Sequence, residues 1–175
     1  MFLTLTHKEW KKHLKRGDRA IDATCGNGHD TLVLSKLNLS HLYVFDIQER
    51  ALKATKKRLG IQSNISYHLG CHSTFSGVEN AVNLIVYNLG YLPGGNKSLT
   101  TQTQTTLKSL EKGLILLAPG GLISMTLYPG HPEGKREEEA LLAHVAFFSP
   151  RKFQVSHYRA LNRSNAPSLL LIRKI

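Results

Sequence analysis

The strongest constraint on this chain is a regular alternation of short apolar runs with amphipathic, lysine-bearing segments, sustained along nearly the whole sequence. Arg19 to Thr24, His41 to Asp46, Asn64 to Leu69, Asn83 to Asn88 and Leu122 to Pro129 read as strands, near-continuous in apolar residues. A strand covered on both faces looks like this, whereas a strand with one wet face alternates apolar and polar residues. Between them, residues 7–15 (with Trp10 and Leu14 four apart), a segment opening at Leu32, Gln48 to Leu59, the stretch from Leu107 to Pro119-Gly120-Gly121, and 136–148 carry the spacing and stop signals of helices. A Thr/Gln-rich stretch at 99–106 leads into the fourth of these. FQVSHYRAL and SLLLIRKI read as a closing antiparallel pair. The pattern predicts an α/β fold: a Rossmann-like, mostly parallel seven-stranded sheet with helices on both faces, an antiparallel C-terminal strand, and one domain over residues 1–175.

In such a sheet, ligands bind beyond the carboxyl ends of the strands. The first strand runs there into Asp22-Ala23-Thr24-Cys25-Gly26-Asn27-Gly28-His29-Asp30-Thr31. Two glycines two apart let the backbone approach a ligand, and the helix start that follows offers free N–H groups. A dinucleotide fingerprint would place a third glycine where Thr31 stands, and Asp22 would repel a pyrophosphate. A cationic ligand suits the loop better; S-adenosyl-L-methionine carries a sulfonium and an ammonium group and no phosphate. Asp46 ends the second strand, roughly 20 residues past the loop, where an acid accepts the ribose hydroxyls of an adenosine. Ile47 and Gln48 follow it and are placed to flank the adenine. The bland alternatives are helix capping for Asp46 and bonds to loop N–H groups for Asp22.

Asn88-Leu89-Gly90-Tyr91-Leu92-Pro93-Gly94-Gly95 follows the fourth strand. It stands where amino-directed methyltransferases carry Asn/Asp-Pro-Pro-Tyr, with Leu89-Gly90 in place of Pro-Pro. Gly70-Cys71-His72-Ser73 follows the third strand and Tyr128-Pro129-Gly130-His131 the fifth. Cys25 and His29 are four apart but have no companion ligands, so no metal is expected.

Charge narrows the partners. Lys and Arg number 23 against 12 Asp and Glu, a net +11, which points to a polyanion such as RNA or DNA. The basic residues gather in residues 1–20, in 49–60, and in 148–175, where no acid offsets them. His157, Tyr158, Arg159, Asn162 and Arg163 mix rings with cations, a combination suited to unpaired bases. Two cysteines exclude a disulfide-dense secreted scaffold. Lys8, Glu9, Lys11 and Lys12 interrupt the start before a signal-peptide core can form, and apolar runs such as Leu114 to Ala118 fall far short of the roughly 20 residues that span a bilayer. A cytoplasmic protein with reduced thiols and no membrane contact is expected.

The combination of DATCGNGHDT, VFDIQ, YNLGYLPGG with its Thr-rich continuation, and YPGH before an acidic helix resembles a small bacterial family of class I methyltransferases. That family carries the label "putative rRNA methylase" and is associated with the tRNA wobble uridine. The resemblance covers almost the whole chain. It implies methyl transfer from S-adenosyl-L-methionine to the exocyclic amine of 5-aminomethyl-2-thiouridine at position 34 of tRNA. It further implies that Asn27, Gly28, Asp30 and Thr31 lie along the methionine part of the cofactor, with Asp22 supporting the loop. Asp46 would hold the ribose, Gln48 would lie near the adenine, and Cys71 and His72 would line the same pocket. Asn88 to Gly95 with Tyr128 to His131 would form the substrate side, Asn88 placing the amine and Tyr91 or His131 taking its proton. By the same resemblance the anticodon region of tRNA would be the partner, recognised by the basic faces of a homodimer without an added RNA-binding domain. The rivals are methylation of an rRNA base, a non-catalytic RNA-binding protein, and a nicotinamide-type oxidoreductase.

Overall fold

The computed structural model describes residues 2–90, 94 and 100–175. In chain order its elements are α1 (Phe2–His13), β1 (Arg19–Asp22), α2 (His29–Ser35), β2 (His41–Asp46), α3 (Glu49–Leu59), β3 (Ile65–Leu69), β4 (Val82–Asn88), α4 (Thr103–Leu116), β5 (Leu117–Leu127), α5 (Pro132–Val145), β6 (Phe153–Tyr158) and β7 (Ser168–Lys174). The strands form one seven-stranded sheet in the order β3-β2-β1-β4-β5-β7-β6. Neighbours from β3 to β5 are parallel, and β7 runs antiparallel to both β5 and β6.

The near-continuous apolar character of the strands has a direct cause. Successive side chains point to opposite faces, and both faces are covered. Ala20, Leu42, Val44, Leu84 and Val86 pack with Trp10 of α1, Leu34 of α2, and Ala51 and Leu52 of α3. Their sequence neighbours Ile21, Tyr43, Phe45, Ile85 and Tyr87 pack on the other side with Leu110 of α4 and Leu141 and Val145 of α5. β1 and β4 lie side by side, with the chain winding outward to β2 and β3 in one direction and to β5 in the other. The reversal of winding opens a crevice at their carboxyl ends.

Helix boundaries depart from the sequence reading at several places; α2 opens at His29 rather than Leu32, and α4 at Thr103 rather than Leu107. α1 begins at Phe2 rather than residue 7, because Leu5 and buried Thr6 join Trp10 against the sheet. α4 ends at Leu116, and Pro119-Gly120-Gly121 belongs to an irregular start of β5, between the pairs Val82 with Leu117 and Leu84 with Leu122. α5 begins at Pro132 rather than near Arg136: proline at the first helical position has no N–H to leave unpaired, and the His131 side chain caps the turn by accepting from the Gly134 N–H. Gly134 is required there, since a Cβ would lie 2.1 Å from the Tyr128 carbonyl oxygen. No helix among the described residues is long and apolar enough to cross a membrane.

Candidate functional site

A cavity of about 680 Å³ opens at the carboxyl ends of β1, β2, β4 and β5. Its walls come from the glycine loop after β1, Asp46 to Gln48 after β2, Cys71 and His72 after β3, Asn88 to Gly90 after β4, and Tyr128, Gly130 and His131 after β5. Thr100 to Gln102 before α4, and Asn165 and Pro167 between β6 and β7, complete it. Asp30 and Asp46 line it; among the described residues no Lys or Arg does, in a chain of net charge +11. The cavity is acid-lined within a basic protein.

The loop after β1 is held from beneath. Asp22 is buried and accepts from the Thr24 N–H at 3.2 Å and the Thr31 hydroxyl at 2.6 Å. Burial, and then the nearby Asp30 charge, pushes its carboxyl up to about 7. Gly28 takes a left-handed φ of 78° and its Cα faces α3, where a Cβ would meet Thr55 at 2.8 Å. Asp22, Gly28 and Thr31, three of the expected cofactor residues, therefore lie behind the cavity wall. They shape the loop through Thr31 on the inner side of α2 and Thr55 on α3. Burial also pushes the Cys25 thiol far up, which keeps it protonated and unreactive.

Asp46 accepts from the Gly26 N–H at 3.0 Å and the Gln48 N–H at 2.9 Å, one on each carboxylate oxygen. It thus ties the glycine loop to the first turn of α3, whose N-cap is Gln48. The Cys25 thiol also donates to Oδ2, at 3.9 Å, which leaves part of the carboxylate's roughly four lone-pair sites for a ligand at the cavity wall. Burial raises its carboxyl, and the bonds from the Gln48, Gly26 and Ile47 N–H groups and the Cys25 thiol oppose that shift. Beside it Ile47 is 54% exposed, an apolar side chain presented beside polar groups. His72, which lines the same cavity, is buried, pushed down to about 4 and so neutral, with its Nδ1 unpartnered.

At the other end, a network fixes Asn88. Its backbone N–H donates to the Thr24 hydroxyl at 2.7 Å, and its side-chain Nδ2 donates to Asp30 Oδ2 at 3.0 Å. The other Asp30 oxygen pairs with His7 Nε2 of α1 at 2.7 Å. Tyr128 stands beside them, its hydroxyl pushed up by burial and by the Asp30 charge and pulled back by Asn88. His131 lines the cavity too, with its Nδ1 accepting from Gly134 at 3.1 Å. Tyr91, the other expected proton acceptor, lies outside the described residues, as do 92, 93 and 95 of the expected substrate loop.

α5 clamps the far wall. Buried Glu137 accepts from the Thr106 hydroxyl at 2.6 Å and the Thr101 hydroxyl at 2.9 Å, while Thr101 Oγ1 accepts from the Gly90 N–H at 2.9 Å. Glu133 accepts from the Thr103 N–H and hydroxyl, both at 2.9 Å, and so caps α4 from a different helix. The Thr-rich stretch is therefore a set of hydroxyl donors for the two glutamates, with Thr100 and Thr101 facing the cavity. The sequence reading had assigned it no function.

Of the expected site residues, Asn27, Asp30, Asp46, Gln48, Cys71, His72, Asn88 and His131 line one cavity. The sequence reading missed His7, Thr24, the threonines before α4, and Asn165. His7 is 23 residues from Asp30 and no local spacing marks it; only the packing of α1 on the sheet brings it there. Of the C-terminal basic cluster, Arg159 and Arg163 are exposed in the connection that carries Asn165 to the cavity. Arg173 instead pairs with His13 at 3.1 Å, and Lys174 donates to the Leu114 and Leu117 carbonyls. Among the described residues, no group of three His, Cys, Asp or Glu side chains is arranged to hold a metal ion.

Comparison with known proteins agrees with this geometry. The family model described as "Putative rRNA methylase" matches residues 42–174. The chain is 38% identical over 186 residues to the "tRNA (mnm(5)s(2)U34)-methyltransferase, chloroplastic" of Arabidopsis thaliana, covering 97% of this chain and 68% of that protein. The crystal structure of a "putative rRNA-methylase" from Clostridium thermocellum superimposes with a TM-score of 0.94 at 34% identity, covering 99% of this chain and 97% of that one. A "putative methyltransferase" from Streptococcus mutans in complex with SAH gives 0.90 at 36% identity, with coverages of 99% and 97%.

Proposed function

This chain belongs to the "Putative rRNA methylase" family, and from that premise we propose that it transfers a methyl group from S-adenosyl-L-methionine to the exocyclic amine of 5-aminomethyl-2-thiouridine at wobble position 34 of tRNA. The product is 5-methylaminomethyl-2-thiouridine. The observation that carries the reading is the acid-lined cavity in a protein of net charge +11. A chain that attracts polyanions on its outside yet, among the described residues, lines its cavity with Asp30 and Asp46 and with no Lys or Arg is suited to draw in a nucleic acid and to accept a cation inside. The Arabidopsis relative bears the same wobble-uridine reaction in its name.

The residues present fit the cofactor. When bound, S-adenosyl-L-methionine supplies an electrophilic methyl on a sulfonium. Asp46, at the cavity wall, would take the ribose hydroxyls with its remaining acceptor capacity. Exposed Ile47 would cover a face of the adenine, and neutral His72 with its unpartnered Nδ1 would serve the same end of the pocket. Asn27 and Asp30 would lie toward the ammonium and sulfonium, where a carboxylate lowers the energy of a cation in a confined site. Asn88 would accept from the substrate amine, its backbone fixed by Thr24 and its amide by Asp30. Catalysis would rest on holding the amine in line rather than on an enzyme nucleophile. Arg159 and Arg163 would meet the tRNA backbone at the rim, in the anticodon region. Free thiols at Cys25 and Cys71 suit a reducing compartment such as the cytoplasm.

The test is mass spectrometry of nucleosides from tRNA lacking the final methyl, incubated with the protein and S-adenosyl-L-methionine. A gain of one methyl on 5-aminomethyl-2-thiouridine is the expected result. Cofactor binding without that gain, and methylation of rRNA instead, would redirect the substrate to an rRNA base.

A further inference from the structure

We propose that Asn165, on the connection between β6 and β7, reads the target base: its amide holds an unpaired uracil by the adjacent O4 and N3–H groups and so turns the C5 substituent toward Asn88. The inference rests on the function proposed above, because it takes the ring that carries the amine to be a pyrimidine of an RNA strand.

Topology sets Asn165 at the end of the cavity that the cofactor leaves open. Across the crevice the strands run β2-β1-β4-β5-β7, so Asp46 after β2 and Asn165 before β7 stand at opposite ends. β5 lies three strands from β2, roughly 14 Å at the usual spacing. With its adenosine at Asp46, S-adenosyl-L-methionine would extend toward Asn88 at the end of β4. The wall beyond it is left for a second ring: Tyr128, Gly130 and His131 after β5, with Asn165 and Pro167 before β7. The Asn165 carbonyl oxygen lies 3.7 Å from where a Gly130 Cβ would stand, so the two loops meet there.

The backbone of Asn165 is left-handed, with φ 57°, a conformation that glycine adopts freely and asparagine tolerates. The turn therefore needs no side chain at this position. The one present is exposed, and among the described residues no group bonds its amide. An asparagine amide carries an acceptor and a donor side by side. Around a uracil ring, the C5 substituent is followed on one flank by O4 and N3–H and on the other by C6–H. Only the first flank matches the amide, with Nδ2 donating to O4 and Oδ1 accepting from N3–H. Unpaired bases are read in this way, by their Watson–Crick edges. The surroundings favour a nucleotide within a strand over a free nucleoside. Leu161, 88% exposed, stands in sequence between exposed Arg159 and Arg163 on the same connection, apolar surface for a neighbouring base flanked by cations for phosphates.

A coupling measurement tests this. Anticodon stem-loop RNA carrying 5-aminomethyl-2-thiouridine, and its N3-methyl counterpart, are methylated by the wild type and by Asn165→Gly, which keeps the left-handed backbone and removes the amide. Methylating N3 should lower kcat/KM of the wild type about tenfold. Asn165→Gly should lose about tenfold on the parent RNA and nothing further on the N3-methyl RNA, the signature of two changes that remove one contact. Calorimetry with S-adenosyl-L-methionine should give the same affinity for both proteins. Losses that multiply would show that Asn165 does not meet the N3–H edge. A wild-type kcat/KM in Asn165→Gly would leave the amide without a role, and a tenfold fall in cofactor affinity would assign it to the cofactor; each of the three overturns the proposal. A wild type that binds the cofactor yet methylates neither RNA would defeat the function reading itself, and the base contact with it.

Discussion

Glu133 and Glu137 on α5, and Asp30 and Asp46 beside the glycine loop, are two pairs of acids that accept hydrogen bonds from neighbouring loop segments. They differ in what is left over. Glu137 is buried, with each oxygen committed to a threonine hydroxyl, and Glu133 is committed to the cap of α4. Neither lines the cavity. Asp30 and Asp46 also position their loops, but each stands at the cavity wall with lone pairs to spare. Uncommitted acceptor capacity next to an open volume, rather than burial or charge alone, separates an acid that is available to a ligand from an acid that only holds the fold.

Breaking one member of each pair should therefore give opposite phenotypes. Asp46→Ala has the largest expected effect: two charge-assisted hydrogen bonds to the cofactor are lost, which amounts to a drop of about 100-fold or more in S-adenosyl-L-methionine affinity by calorimetry. Its stability cost should stay below about 2 kcal/mol, since the freed N–H groups of Gly26 and Gln48 sit where water can reach them. Retained affinity would remove Asp46 from the cofactor site. Glu137→Ala should behave in the reverse sense. It strands the hydroxyls of Thr101 and Thr106 away from their acceptor and should lower unfolding stability by about 2–3 kcal/mol in a denaturant titration, with cofactor affinity nearly unchanged. A stable Glu137→Ala protein that had lost the cofactor would dissolve the distinction.

The same contrast explains what could be read from the chain beforehand. The seven strands, their mostly parallel sheet and the loops at its carboxyl edge were legible because apolar runs of strand length and glycines at fixed offsets are local signals. Asp46 and Asn88 were found because each ends a strand. Asp22, Gly28 and Thr31 were just as visible, yet their direction was not: whether a loop residue faces the ligand or the helix behind it depends on Thr55 and on how α3 packs. The threonine clamp escaped notice because its acceptors lie about 30 residues downstream on another helix. The start of α5 carried a recognisable His-Pro-Glu signal, hidden by Gly134, a poor helix residue that close approach to Tyr128 demands. His7 carried no signal at all.

Asp22 sharpens the comparison, since it sits within the glycine loop but behaves like the α5 acids. Its carboxyl is raised to about 7 from 3.8, first by burial and then by Asp30. A group raised in the folded state contributes stability that is complete below its unfolded value and is lost as pH climbs through its folded value, so this contribution fades between about pH 4 and pH 7. Asp22→Asn removes the titration while keeping an oxygen for Thr31. Relative to the wild type, it should gain on the order of 2 kcal/mol between pH 5 and pH 8 in parallel thermal melts. A difference that does not change with pH would mean that Asp22 is ionised throughout, and would move it to the ligand-facing class.

The smallest effect concerns the basic exterior that the acidic cavity opposes. Arg159 and Arg163 are exposed in the connection that also brings Asn165 to the cavity, whereas Arg173 is bonded to His13 and the Gly120 carbonyl. A phosphate contact contributes about 1 kcal/mol and about one unit of slope in the salt dependence. Arg159→Ala and Arg163→Ala should each raise the KM for tRNA about fivefold, flatten its dependence on salt, and leave kcat and cofactor affinity alone. Arg173→Ala should leave the KM for tRNA where it was, because its guanidinium is already spent on the fold. If Arg173→Ala weakened tRNA binding as much as the other two, attraction would belong to the whole charged surface, and the rim around the acidic cavity would have no special claim on the RNA.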